Sequence, residues 1–163
     1  MTDPTLRRLG TLAKSLNAAS DLISRQITDI EVALNALRLG VYAWIEVERE
    51  QELVPDAKDG TRGEVLTRVL SLGYAKYKGK WQLVASEGFD EVDEEYHTVT
   101  PLREAKREIK LAAAEKISDL LKVVETRVAK VTEDATKSAA KMTEIAAGLR
   151  KDADAAGGAR LHE

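Results

Sequence analysis

The fold is decided by the stretch LTRVLSLGYAKYKGKWQLVAS, residues 66–86, in which two apolar and aromatic runs flank a lysine-rich turn. The first run ends at Tyr77 and the second begins at Trp81, which leaves Lys78, Gly79 and Lys80 between them. A glycine in a short connection between two such runs is typical of an antiparallel hairpin, because glycine accepts the backbone conformation of a tight turn. We therefore predict strands over residues 66–77 and 81–86.

Further strands are expected on either side of this hairpin. Residues 41–47, VYAWIEV, are rich in β-branched and aromatic side chains, and they predict a first strand. The polar residues 48–63 contain Pro55 and Gly60, and we expect an exposed loop there. Residues 96–99 predict a short edge strand. The sequence thus indicates an antiparallel meander of three or four strands, with its loops, within residues 41–99.

The aromatic residues are all confined to this central region. The chain has 163 residues, of which 33% are charged and 4% aromatic. The seven aromatic residues fall between positions 42 and 96, namely Tyr42, Trp44, Tyr74, Tyr77, Trp81, Phe89 and Tyr96. A small sheet is therefore expected as the globular centre, with helices that expose charged faces on either side of it.

The N-terminal flank predicts a helix over residues 4–39. Asp3 is suited to the N-cap and Pro4 to the first helical position, while Gly40 is a natural stop. Apolar residues recur at alternating intervals of three and four, which is typical of a coiled-coil-like seam or a bundle face. The seam consists of Leu6, Leu9, Ala13, Leu16, Ile23, Ile27, Ile30, Leu34 and Leu37, with Ser20 as its one polar position.

The C-terminal flank predicts a very long helix over residues 101–150, followed by a frayed tail over 152–163. Thr100 and Pro101 are suited to its start, and residues 102–147 contain no glycine or proline. Such a helix would be roughly 70 Å long, whereas a compact domain of this size is about 40 Å across. The predicted fold is a single α+β domain over residues 1–163, whose last helix either projects in its distal half or enters an oligomeric bundle.

This mismatch in length gives the leading functional hypothesis. The last helix carries an apolar seam that its own chain is too small to cover, and a solvated single helix would gain nothing from such a stripe. We expect a non-enzymatic adaptor or scaffold protein that forms a homo-oligomer, or binds a partner protein, through its helices. The expected interface consists of Leu121, Val124, Val128, Val131, Met142, Ile145 and Leu149.

A rival hypothesis comes from the hairpin, in which lysines alternate with aromatic residues. Phosphate contacts combined with stacking would use this arrangement to bind a nucleotide, another anionic small molecule or single-stranded nucleic acid. Alternatively, the lysines share a solvent face while the aromatic rings pack inside. The candidate binding residues are Tyr74, Lys76, Lys78, Lys80 and Trp81, together with Arg103 and Arg107 from the start of the last helix.

The sequence gives little support for a metal site or for catalysis. The chain has no cysteine, and its imidazoles are His97 and His162, so we expect no metal site. The acidic residues 87–95 do not match a calcium-binding loop. His97 is accompanied by no nucleophile motif, so we assign no catalytic residue, expect no cofactor and predict no enzymatic activity.

Charge and hydropathy favour a cytoplasmic protein without a membrane partner. Its 25 basic and 28 acidic residues give a formal charge of −3, too balanced for a whole-protein attraction to nucleic acid or membranes. The N-terminus does not have the pattern of an export signal, and no uncharged apolar run approaches the roughly 18 residues that span a bilayer.

The central half of the chain also carries a recognisable set of residues. The set consists of Gly40, Val41, Tyr42, Ala43 and Trp44, then Leu72, Gly73, Tyr74, Lys76, Gly79, Lys80, Trp81 and Leu83, and then Pro101, Leu102, Ala105, Arg107, Glu108, Leu120 and Leu121. This pattern resembles a group of small bacterial and phage proteins with no assigned activity. The resemblance implies a bacterial or phage origin and says nothing about mechanism.

Overall fold

The structure is a computed structural model that describes residues 3–55 and 63–158, and it confirms the α+β class. Two helices flank a four-stranded sheet. The elements are α1 (Pro4–Ala36), β1 (Ala43–Pro55), β2 (Gly63–Tyr77), β3 (Lys80–Phe89), β4 (Thr98–Pro101) and α2 (Arg107–Gly158), with single 3₁₀ turns at Glu94–Tyr96 and Leu102–Glu104. The chain divides between Glu125 and Thr126 into two units. The first unit contains α1, the sheet and the beginning of α2, and the second contains the rest of α2.

The sheet is a simple antiparallel meander in the order β1-β2-β3-β4. At its centre the predicted hairpin is confirmed, with Tyr77 paired to Lys80 across a two-residue turn. Lys78 and Gly79 in that turn have φ values of 48° and 82°. Two left-handed residues are the signature of the turn type whose twist matches that of the flanking strands.

The first strand is longer than predicted, and the loop predicted over residues 48–63 is wrong for residues 48–55 and for Gly63. Glu50 pairs with Arg68 and Leu53 with Val65, so β1 and β2 stay paired beyond a bulge at Glu46–Glu48. Past Arg68, the last β2 residue that pairs with β3, they continue as a two-stranded ribbon. Pairing satisfies the backbone groups of both strands and outweighs the low strand preference of glutamate and glutamine. Residues 56–62, the remainder of the predicted loop, lie outside the described part of the chain.

Helix α1 begins as predicted and ends three residues early. The Asp3 carboxylate accepts a hydrogen bond from the backbone N–H of Thr5 at 2.8 Å, and Pro4 occupies the first turn. At the other end Arg38, at φ 51°, takes the left-handed position that was expected of Gly40. Gly40 is itself left-handed at φ 64°, and these two residues together lead the chain from the helix into β1.

Helix α2 starts later than predicted, because Thr100 and Pro101 are strand residues. They pair with Ala85 and Val84 in the edge strand β4, a place where proline is tolerated since its missing N–H can face away from the ladder. The predicted edge strand over residues 96–99 is accordingly shifted to Thr98–Pro101. The helix then continues to Gly158, beyond the predicted end at 150, and residues 159–163 lie outside the described part. Across residues 3–55 and 63–158, none of the helices combines the length and the apolar character needed to cross a membrane.

The core of the first unit is mainly aliphatic. Leu72, Tyr74 and Leu83 are fully buried on one face of the sheet, where Tyr74 and Leu83 are cross-strand partners. Buried side chains of both helices complete this core, namely Ile27 and Leu34 of α1 and Ile109, Ala113, Leu120 and Val124 of α2. Among the aromatic residues Tyr74 is buried, whereas Tyr42, Trp44 and Tyr96 are exposed.

The amide of Asn35 joins α1 to the hairpin and provides the first test of the fold. Its oxygen accepts a hydrogen bond from the Tyr74 hydroxyl at 2.8 Å, and its nitrogen donates to the Trp81 carbonyl at 3.0 Å. Asn35→Ala leaves the buried Tyr74 hydroxyl unpaired, and we expect it to lower the free energy of unfolding by about 1–3 kcal/mol. Urea unfolding measures this change.

The matched control removes the orphaned hydroxyl as well. In a Tyr74→Phe background the Asn35→Ala substitution should be distinctly less destabilising, because no buried hydroxyl is then left without a partner. Strictly additive effects of the two substitutions would contradict the assigned contact.

Candidate functional site

The three lysines of the hairpin are exposed but do not converge. Lys76 is the cross-strand partner of Trp81, Lys78 lies in the turn, and Lys80 is the first residue of β3. The ammonium group of Lys78 lies 5.2 Å from the centre of the Tyr77 ring, a cation–π contact within the hairpin itself. Lys80 is the partner of Tyr77, so the alternation of side chains along the strands places Lys76 and Lys80 on opposite faces of the hairpin.

The half-buried ring of Trp81 already has aromatic neighbours. It stacks on Tyr74 with ring centres 5.4 Å apart, and it meets Tyr42 at 4.8 Å with the planes tilted by 52°. Such pairs stabilise the packing of the rings against one another. Trp81 thus closes the end of the sheet beside α1, and much of its contact surface is used within the protein.

A cleft of about 540 Å³ lies where the end of α1, the start of β3 and the Leu102–Glu104 turn meet. We call it the basic cleft, because its lining includes Arg38, Lys80 and Arg103. Of the seven candidate binding residues, four line it, namely Tyr74, Lys80, Trp81 and Arg103. Lys76, Lys78 and Arg107 are not among its lining residues.

Arg107 instead contributes to the packing of the two helices. Its guanidinium donates a hydrogen bond to the side-chain oxygen of Asn17 in α1, at 2.8 Å. Nearby, the ammonium group of Lys110 donates to the hydroxyl of Ser24, at 3.1 Å. The basic start of α2 is therefore used partly to hold α1 in place.

The floor of the basic cleft contains a buried carboxylate that sequence reasoning missed. Glu31 of α1 is almost fully buried, and its Oε1 accepts a hydrogen bond from the backbone N–H of Leu83 at 2.8 Å. Burial raises the pKa of this carboxyl above its ordinary value, while the Leu83 hydrogen bond and the charge of Arg103 oppose that rise. Within the described residues, no buried side-chain nitrogen or oxygen lacks a hydrogen-bond partner.

Arg38 is the second residue that the sequence did not indicate. The residue stands at the end of α1, and no pattern in the sequence links it to Lys80 or Arg103. Its place in the cleft depends on the docking of α1 against β3, which is a long-range contact. The presence of an arginine at position 38 does not predict the left-handed backbone conformation that this residue adopts.

The side chain of His97 contacts residues of the sheet. Its Nε2 lies 3.1 Å from the carbonyl oxygen of Phe89, and its ring lies so close to Gly88 that a Cβ there would come within 2.0 Å of it. On the helix-free side of the sheet, a cavity of about 660 Å³ is lined in part by His97, Arg49 and acidic side chains. Arg49 pairs with both Glu46 and Asp90, and the described residues contain no cluster of three or more metal-binding side chains.

Some residues of the expected helix interface are buried in the structure, and others are exposed. Val124 is 3% exposed, so it belongs to the core of the first unit and is closed to a partner, while Val128 is half-buried. The remaining expected contacts are exposed, namely Leu121, Val131, Met142, Ile145 and Leu149. Helix α1 carries a further set of exposed leucines, Leu6, Leu9, Leu12 and Leu16 in its N-terminal half and Leu22 just past its middle.

Comparison with known proteins finds no matching family model, no similar curated protein and no similar solved structure. The bacterial or phage origin stays a prediction, and the function must be argued from the geometry.

The buried Glu31 predicts a specific dependence of stability on pH. Because its pKa is raised in the folded protein, the stability that it contributes is present in acid and is lost as the pH rises through the folded pKa. Glu31→Gln keeps an oxygen for the Leu83 N–H and removes the buried charge. We expect a higher free energy of unfolding than wild type at pH 7, and a difference that shrinks toward pH 4.

Urea unfolding at the two pH values measures this effect, with Glu46→Gln as the control. The pKa of Glu46 is lowered by its hydrogen bonds with Arg49, so the variant should show no gain in stability at pH 7. A Glu31→Gln variant that is less stable than wild type at pH 7 would contradict the assigned burial cost.

Proposed function

We propose that this protein is a non-enzymatic adaptor or scaffold that self-associates through exposed apolar stripes on its helices. The observation that carries the proposal is a single stripe on α1 that is covered at one end and open at the other. At the C-terminal end Ile27 and Leu34 are 1% and 6% exposed. At the N-terminal end Leu9 and Leu16 are 54% and 46% exposed.

These four residues lie on the same line along the helix. Leu9 is 18 residues before Ile27, and Leu16 is 18 residues before Leu34, which is five turns at 3.6 residues per turn. The phase that packs against the core is therefore continued, without rotation, by the exposed leucines. An isolated helix gains nothing from such a stripe, whereas burial of a leucine contributes about 1.5–3 kcal/mol.

The occupant that fits this stripe best is a second copy of the same chain. The stripe has the alternating three-and-four spacing with which similar helices interlock their side chains. A patch that pairs with itself about a two-fold axis closes after two copies, which favours a defined oligomer. The second unit carries its own exposed residues with a related spacing, Val131, Met142, Ile145 and Leu149, and we propose these as a second, separate surface for self-association.

The absence of enzymatic activity is part of the proposal. Support comes from His97, whose Nε2 contacts the Phe89 carbonyl, and from the pairing of Arg49 with Glu46 and Asp90. Both arrangements engage these side chains in contacts within the protein, which does not favour a catalytic role for them.

Light scattering on size-exclusion eluate tests the self-association. We expect a wild-type mass that is a multiple of the chain mass of 17.9 kDa. The double variant Leu9→Lys/Leu16→Lys should run as a single chain, because two charges in the stripe would have to be desolvated on association. Circular dichroism and thermal unfolding confirm that the variant is folded.

The matched control is Leu22→Lys, which changes another exposed leucine of α1 that points away from the stripe. It should leave the oligomer mass unchanged. A wild-type chain that is monomeric at about 100 μM, or an oligomer that survives both Leu9→Lys/Leu16→Lys and Met142→Lys/Ile145→Lys, would overturn the proposal.

A further inference from the structure

The basic cleft is lined by three basic residues from three separate parts of the chain. Arg38 follows α1, Lys80 begins β3, and Arg103 lies in the Leu102–Glu104 turn. They are distant in sequence, so their convergence results from the tertiary fold and is not a basic run on one element.

The charges at the cleft are poorly balanced by carboxylates. Across residues 3–55 and 63–158, Arg38 and Lys80 form no ion pair, and Arg103 has one long contact of 3.6 Å to its neighbour Glu104. The acidic residue in the lining is Glu31, which is buried and accepts the Leu83 N–H. The residues that line the cleft thus include three basic residues and one carboxylate, Glu31, which is already hydrogen-bonded.

The backbone of Arg38 gives an independent reason to regard its side chain as functional. It adopts φ 51° at the residue that follows a helix end, a position where glycine is favoured because side chains are strained there. Gly40, two residues away, has the same left-handed conformation. The strained Arg38 is one of the residues that line the cleft, and strain of this kind concentrates at binding sites.

We propose that the basic cleft binds a small molecule that bears a phosphoryl group, held by Arg38, Lys80 and Arg103. A phosphoryl group presents several acceptor oxygens and up to two negative charges to donors that approach from different directions. Guanidinium groups bind it through two parallel hydrogen bonds, and an ammonium group adds a point charge. The cleft volume of about 540 Å³ suits a small-molecule ligand, and Val32 and Leu39 offer an apolar surface to its organic part.

A small molecule is favoured over single-stranded nucleic acid by the placement of the other candidates. Lys76 and Lys78 lie outside the lining of the cleft, so the cations do not form a track along the hairpin. Trp81 contacts Tyr42 and Tyr74, which leaves little of its ring for a stacked base. The inference is independent of self-association, because Leu9 and Leu16 are not part of the cleft.

Isothermal titration calorimetry at an ionic strength of about 0.15 M, where the Debye length is about 8 Å, tests the inference, with inorganic pyrophosphate and adenosine 5′-monophosphate as separate probes. We expect saturable binding of at least one probe to the wild-type protein. Arg38→Gly should weaken that binding by roughly tenfold or more, since a charge-assisted contact is lost. Glycine accepts the left-handed backbone, so the variant should retain the wild-type melting temperature or exceed it.

The matched control is Lys78→Gly, which removes one positive charge at another left-handed residue, outside the cleft. It should leave the affinity within about twofold of wild type, because Lys78 does not line the cleft and the charge of an exposed side chain that makes no direct contact with the ligand is largely screened by salt. The inference is overturned if neither probe binds saturably, or if both glycine variants weaken binding equally. A thymidine oligonucleotide that binds more tightly than the monophosphate and loses affinity in Lys78→Gly would assign the hairpin to nucleic acid instead.

Discussion

The structure depends on two side chains of α1 that complete the open edge of β3. Pairing between β3 and β4 begins at Val84, so the backbone groups from Trp81 to Leu83 face no strand on that side. Glu31 accepts the Leu83 N–H, and Asn35, one turn further along the helix, donates to the Trp81 carbonyl. An unpaired strand edge invites unwanted pairing with other chains. Here the helix takes the place that a longer β4 would fill, and this contact fixes the position of α1 on the sheet.

That docking explains both candidate surfaces. Because Ile27 and Leu34 are turned into the core together with Glu31, the exposed leucines at the other end of α1 are presented in a fixed orientation relative to the sheet. The same contact brings Arg38 beside Lys80 and Arg103, and so creates the basic cleft. A loss of the Glu31 and Asn35 hydrogen bonds would therefore affect the helix stripe and the cleft at once.

The features that were predictable from sequence are those encoded by neighbours along the chain. The hairpin at Lys78–Gly79, the Asp3 cap and the existence of two long helices all follow from local turn, capping and periodicity signals. The ribbon beyond Glu48 could not be found in this way, because it is held by pairing with β2 and not by strand-forming side chains. The start of α2 was predicted too early, because a proline such as Pro101 suits both a helix N-terminus and an edge strand.

In the candidate site, too, the residues with local sequence signals were predictable and those that depend on long-range contacts were not. Tyr74, Lys80, Trp81 and Arg103 were indicated by local composition, and the fold gathers them. Arg38 and Glu31 were missed because their roles depend on contacts with residues about 50 positions away, such as the bond from Leu83. Lys76, Lys78 and Arg107 were included because of their neighbours in sequence. In the structure Lys76 pairs across the strands, Lys78 lies in the turn, and Arg107 packs against α1.

The two tryptophans occupy opposite faces of the sheet. Trp81 lies on the side of Tyr74 and the helices, whereas Trp44 pairs with Gly73 and covers it on the helix-free side, where a Cβ on Gly73 would come within 2.5 Å of its ring. The intrinsic fluorescence of the chain is therefore the sum of two spatially separate emitters. Replacing one tryptophan with phenylalanine makes the other a single optical reporter, so that events on each side of the sheet can be followed in solution without an added dye.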